Sequence, residues 1–182
     1  MPSRTSVVRA ALIGTMAGAA ATYAKTKAEG FLQPRAENLL PPSPAAKIQI
    51  GADGSGHPEN MPPSELADRL QHSVTGAELT DEQRLKAAAP LHWAMGVGFG
   101  VAYAVVATSR PAVRIGRGTG AGAGLFVAAH GIALPAAHLQ HPPYRLPRAW
   151  WIWEPGSHLV YGAVLDAILT GLDRLGDAAE EL

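Results

Sequence analysis

Seven ionisable side chains sit in or beside otherwise apolar stretches of this 182-residue chain: Lys25, Glu29, His92, His130, Glu154, His158 and Asp166. Imidazole changes charge near neutral pH, and either ring nitrogen can exchange a proton or hold a metal. Lys25 and Glu29 are four residues apart, as are Glu154 and His158, so each pair would share one face of a helix. Histidines beside carboxylates in apolar surroundings fit a proton-responsive pathway, a zinc site, or hydrogen bonds that tie helices together. Neither His-x-x-x-His nor HExxH occurs in the apolar stretches, so zinc ligands would have to converge from separate elements.

The elements that must carry these groups are long and greasy. Four apolar segments cover about residues 7–24, 90–108, 118–139 and 155–172. A bilayer demands about 17–25 such residues in a helix. Only 16% of the chain is charged, Gly numbers 20 and Cys is zero. Lys plus Arg and Asp plus Glu are both 15, so the net charge is zero, which argues against nucleic-acid binding. The absence of Cys excludes disulfides, thiolate metal sites and cysteine nucleophiles. Gly14 and Gly18, Gly96 and Gly100, and Gly116, Gly120 and Gly124 recur at four-residue spacing, interleaved with Gly118 and Gly122. Such spacing lets helix backbones approach closely in lipid, within one chain or between chains. The expected fold is an all-α membrane protein, one domain over 1–182. It is a four-transmembrane-helix bundle with a long Pro-rich extracytoplasmic insert, about 25–86, between the first two helices.

Within the insert, Pro34, Pro41, Pro42 and Pro44 open an irregular stretch, and Gly51 to Gly56 reads as flexible loop. Ser64 is expected to cap a short helix over Glu65–His72. Thr80-Asp81-Glu82-Gln83 forms a capping box that starts a helix running into the second span. Basic residues orient the spans. Arg4, Arg9, Arg110, Arg114, Arg117 and Arg174 flank one side, against Arg145 and Arg148 on the other. Both termini are therefore expected in the cytoplasm, with Trp150, Trp151 and Trp153 as an interfacial belt at the outer face. In this topology His130 lies about 13 Å below the outer end of its span, and Asp166 lies about 12 Å deeper than His158. The other polar groups gather in the outer half of the bundle.

At these residues the chain resembles the YagU-like family of bacterial inner-membrane proteins, a domain family of unknown function. The likeness starts at Lys25-Thr-Lys-Ala-Glu29 and Gln33-Pro34-Arg35, and continues at Leu79-Thr80-Asp81 and His92. His130 with Pro135, Pro142-Pro143, Glu154 and Gly156-Ser157-His158-Leu159-Val160-Tyr161 carry it further, and Asp166 falls where relatives can hold Glu. It spans nearly the whole chain except Pro44 to Met61. The resemblance implies a helical membrane protein of the bacterial inner membrane, with a first helix that is retained as a span. It implies no activity.

The functional expectation is a membrane protein, not an enzyme, with a polar cluster of Lys25, Glu29, His92, His130, Glu154, His158 and Asp166 serving a proton-responsive ion or small-solute pathway. A non-catalytic scaffold or assembly subunit is the first alternative, and a zinc-binding membrane protein the second. No cofactor is expected, and whether a metal binds stays open. The expected partners are the lipid bilayer, and a second copy or another membrane protein against the Gly-rich faces. Gly116 to Gly124 lacks the Lys and Ser/Thr ending of a phosphate loop, and no Ser nucleophile elbow occurs.

Overall fold

A computed structural model describes the backbone of residues 4–180 and the side chains of 6–175, so Arg4's side chain lies outside the described ones. The described residues are helical with no strand. The long elements are α1 (Arg4–Leu39), α4 (Asp81–Ala107), α5 (Thr119–Phe126) with its continuation, and α7 (Trp150–Glu180). Short helices α2 (Pro44–Lys47) and α3 (Pro62–Thr75) lie between α1 and α4. Three helical stretches are long and apolar enough to cross a membrane: Ser6–Leu39, Asp81–Ala107 and Thr119–Ala136.

The first helix does not stop at Ala24. It runs on through the stretch expected to open the insert, as far as Leu39. Pro34 lies inside it, and a proline ring crowds the carbonyl four residues back. The helix nevertheless continues through Pro34 for another five residues, to Leu39. Pro41 and Pro42 follow the helix end and cannot continue it. At the start of α4 the capping box forms as its residues suggest. Gln83 N–H donates to Thr80 Oγ1 at 3.4 Å, and Thr80 N–H donates to Gln83 Oε1 at 2.9 Å. Asp81 and Glu82 add negative charge at the first turn, where the helix dipole favours it.

The chain divides into two compact units. The first comprises 1–27, 94–125 and 157–182, and the second 28–93 and 126–156.

In the first unit, Ala10, Ile13, Ala17 and Ala21 form one stripe of α1 and are buried with Tyr103, Ala104, Tyr161, Leu165 and Leu169. Small residues set its helix contacts. A Cβ on Gly100 would stand 2.5 Å from Gly18 Cα and 2.7 Å from the Gly14 carbonyl oxygen, so α1 and α4 touch backbone to backbone. Between α5 and α7 the close register uses Gly118 and Gly122 against Gly162. Gly124, on the other expected register, faces open space. Gly118 also has φ +85°, in the turn that launches α5.

In the second unit, Trp150 and Trp153 pack with Ala36, Ala52, Leu146 and Ala149 in a buried core. They are not a belt: Trp150 is 0% exposed and Trp153 1%, and only Trp151, at 48%, presents its ring outward. Burying two indoles against α1's end and the loop before α7 removes more apolar surface from water than a belt position could.

The stretch expected to be a flexible loop is pinned by a polar network. Asp53 is buried and accepts from Gln33 Nε2 at 2.5 Å and from Gly56 N–H at 2.8 Å. Lys47 Nζ reaches Glu37 Oε2 at 2.8 Å and Asp53 Oδ2 at 3.0 Å. Burial opposes the Asp53 charge, yet the Gly56, Lys47 and Gln33 contacts together hold its carboxyl below the usual range. The hydrogen bond to Glu37, followed by that to Asp53, raises the Lys47 amine.

Two arginines bind α3 into the same unit. Arg84 pairs with Glu65 at 3.1 Å and with Asp68 at 2.8 Å. Arg69 donates to the carbonyls of Ala137 and His138, each at 2.5 Å. Those carbonyls lie just past the end of the third apolar helix, where His138 takes the left-handed φ of +57°. The helix α3 begins at Pro62 with Met61 at its N-cap, so Ser64 is not the cap. Proline favours the first helical positions, and Ser64, already in the first turn, instead donates Oγ to the Pro58 carbonyl at 2.8 Å.

Candidate functional site

The second unit's most unusual backbone carries its buried histidine. After α5 the chain winds as a π-helix over Val127–Ala133, then returns to α6 (Leu134–Ala136). Such wide turns cost hydrogen-bond geometry and tend to occur at functional sites. In this segment Leu134 N–H reaches five residues back to the Ala129 carbonyl. The same five-residue step would give the His130 carbonyl to residue 135, which is Pro135 and has no N–H. Gln140 supplies a donor there: its Nε2 donates to the His130 carbonyl at 3.3 Å.

That bond orients the Gln140 amide. Its Oε1 then faces His130 Nδ1 at 2.5 Å, so Nδ1 carries the hydrogen. The opposite ring nitrogen, Nε2, meets Glu154 Oε1 at 3.1 Å. His130 is 8% exposed and Glu154 1%. Phe126 stacks on the imidazole at 5.7 Å and Trp150 meets it edge-on at 5.7 Å. The ring is therefore fixed in plane, tautomer and direction, with two buried bases facing across one short gap. One proton in that gap makes either an imidazolium and carboxylate or a neutral imidazole and carboxylic acid. A cation replacing the proton meets the same two lone pairs.

Of the seven residues marked in the sequence, the structure brings His130 and Glu154 into contact. His158 is buried and follows Glu154 by one turn of the unbroken α7, on the same helix face. Lys25 is buried on α1, with Glu29 half-buried one turn along. His92 is half-buried in α4.

Asp166 belongs to a different group, in the first unit. Tyr103 donates its hydroxyl to Asp166 Oδ1 at 3.0 Å, and Arg114 Nε reaches the same oxygen at 2.6 Å. Arg114 also contacts the Thr170 hydroxyl, and its Nη1 lies 3.6 Å from Asp173 Oδ2. By sequence Arg114 is a loop charge that sets topology. The structure turns it inward from a short 3₁₀ turn, Pro111–Arg114, onto a buried carboxylate. Gln140 was missed as well, and its signal was Pro135, placed five residues after His130.

A family model matches residues 21–167. The chain belongs to the family described as protein of unknown function (DUF1440). The matched stretch contains all seven marked residues, from Lys25 to Asp166, together with Gln140, Tyr103 and Arg114, while Thr170 and Asp173 lie beyond it. No curated protein matches the chain, and no solved structure does.

Proposed function

We propose that this chain is an integral inner-membrane protein that handles a small cation at the His130–Glu154 pair. The observation that carries the reading is the buried imidazole whose Nε2 faces a buried carboxylate while Gln140 fixes the other ring nitrogen. Ionisable residues at membrane depth are expensive and mark ion pathways, relays or tight pairs. Protons compete for the same two lone pairs, so the pathway is proton-responsive: acid displaces the cation. The role is transport or sensing, not catalysis.

In this reading α7 supplies a fourth crossing beside the three long apolar helices, in keeping with the helical inner-membrane bundle that the resemblance to YagU-like proteins implies. The only charge in residues 155–172 is Asp166, and Arg114 offsets it. Both termini lie in the cytoplasm, and the 25–86 region faces outward as far as it leaves the lipid. Reporter fusions at each end test that orientation, and an outward reporter at either end would overturn it.

The functional test uses purified protein in liposomes, with potassium, magnesium, manganese and zinc each offered as the permeant ion. One of these should enter faster than in protein-free liposomes, and its flux should fall as the liposome medium is acidified. His130→Gln and Glu154→Gln should each lower that flux at least tenfold. Flux equal to empty liposomes for all four ions, or unchanged in both variants, would refute the proposal.

A further inference from the structure

We infer that α3 is an interfacial helix whose Leu66, Leu70 and Val74 lie against lipid, at the boundary between headgroups and acyl chains. The inference rests on the membrane crossing proposed above and not on the cation site. Every residue of the arrangement belongs to the second unit. Leu70 is 51% exposed and Val74 83%, with Leu66 half-buried beside them. Steps of four residues keep the three within about 80° of arc on the helix. The adjoining arc holds Ser64, Ala67 and Asp68, which are buried. The apolar stripe therefore borders the face by which α3 rests on the protein.

What covers the stripe follows from where α3 is tied. Arg84 pairs with Glu65 and Asp68, and Leu79 N–H donates to Asp68 Oδ1 at 2.7 Å. Arg84 stands in the first turn of α4, three residues before a run without Asp, Glu, Lys or Arg that covers 87–109. Only about 5 Å of helix separates the two. The second tie is Arg69, which donates to the carbonyls of Ala137 and His138, the first residues past the apolar helix Thr119–Ala136. Thus α3 is fastened to one end of each of two bilayer-length helices. A helix held at that level lies in the interface, where an apolar face sinks about 5–10 Å into the headgroup and acyl boundary.

Charge selects the kind of contact. Arg84 matches Glu65 and Asp68, and Arg69 is committed to backbone carbonyls. No Lys or Arg lies between Arg69 and Arg84, so the stripe has no cation of its own to draw anionic headgroups. Its contact is with acyl chains, whatever the headgroup charge. His72 is exposed and sits about 200° around the helix from Leu70, on the side left to water.

The experiment uses the full chain, which has no cysteine, so one introduced cysteine carries one nitroxide label. Leu70→Cys, Val74→Cys, His72→Cys and Met95→Cys are each labelled and reconstituted in phosphatidylcholine liposomes, with and without phosphatidylglycerol. Collisions of the label with oxygen, which concentrates in lipid, are compared with collisions with a water-soluble nickel chelate. Oxygen should dominate at positions 70 and 74 in both lipids, and nickel at position 72. Met95, 46% exposed within the charge-free run of α4, reports the crossing itself and should favour oxygen. Nickel dominating at 70 and 74 while oxygen dominates at 95 would overturn the interfacial assignment and leave the membrane reading standing. Nickel dominating at 95 would sink the crossing and this inference with it. Exclusion of both reagents from 70 and 74 would place a second copy of the chain on the stripe and refute lipid contact. An oxygen signal that needs phosphatidylglycerol would overturn the charge-independent contact.

Discussion

The ion pair of the first unit makes an asymmetric prediction. Removing the arginine should cost more than neutralising the aspartate. In Arg114→Met, Asp166 keeps the Tyr103 hydroxyl but loses its charged partner, and its side chain is only 8% exposed. Breaking one side of a buried pair costs about 3–5 kcal/mol. The Arg114 side chain is 28% exposed, so water already screens part of the attraction, which places the loss near about 3 kcal/mol. That is roughly a 150-fold change in the unfolding equilibrium. In Asp166→Asn the Tyr103 bond survives, and the guanidinium keeps Thr170, Asp173 at 3.6 Å and access to water. The loss there should be about 1–2 kcal/mol, the scale of weakened hydrogen bonds rather than of a stranded charge. The double variant Arg114→Met, Asp166→Leu should return to within about 1 kcal/mol of wild type, because neither charge remains to be desolvated. Reversible unfolding in mixed micelles titrated with SDS, followed by circular dichroism, measures all three. Equal losses in the two single variants, or a double variant as unstable as their sum, would refute the reasoning.

Three further outcomes follow from other parts of the structure. Gly100→Ala should destabilise by about 1–3 kcal/mol through overpacking, since its Cβ would stand 2.5 Å from Gly18 Cα. Gly98→Ala, with open space at that position, should be neutral or gain up to about 1 kcal/mol in the same SDS titration. Asp53 has a lowered folded pKa, so its contribution is present above the ordinary value of 3.8 and is lost as pH falls through the folded value. Lys47 has a raised folded pKa, so its contribution holds below 10.5 and disappears as pH rises through the folded value. Thermal unfolding against pH should show both limbs in wild type, and Asp53→Asn should flatten the acid one. Pro135→Ala restores an N–H five residues after His130. It should loosen Gln140 and change the His130 ring-nitrogen shifts in NMR, and unchanged shifts would count against Gln140 as the group that sets the tautomer.

Periodicity and apolar length made the helical class legible, because bilayer-length runs without charge admit few other structures. The Thr80–Gln83 cap was legible for a local reason: both partners lie within one turn. The end of the first helix was not, because Pro34 reads as a breaker, yet the helix runs through it to Leu39. The Trp cluster misled because indole suits both an interface and a core, and only tertiary packing distinguishes them. Gly spacing pointed to close helix contact, but two interleaved registers fit, and the α7 partner Gly162 selected Gly118 and Gly122.

The site divides along the same line. Residue type alone marked His130 and Glu154 as expensive to bury, and they do meet. What sequence spacing could not supply was the sign of each contact. Asp166 seemed an unpaired acid at depth until a loop arginine turned inward to meet it, which makes it a structural ion pair as the structure stands. His130 seemed one of several equivalent histidines until Pro135 removed a backbone donor and Gln140 supplied one. A proline that cannot donate and an amide that bonds the His130 carbonyl together aim one ring nitrogen at a carboxylate. That chain of consequences starts from backbone hydrogen-bond accounting, and it makes the imidazole's direction a property of the fold rather than of the ligand.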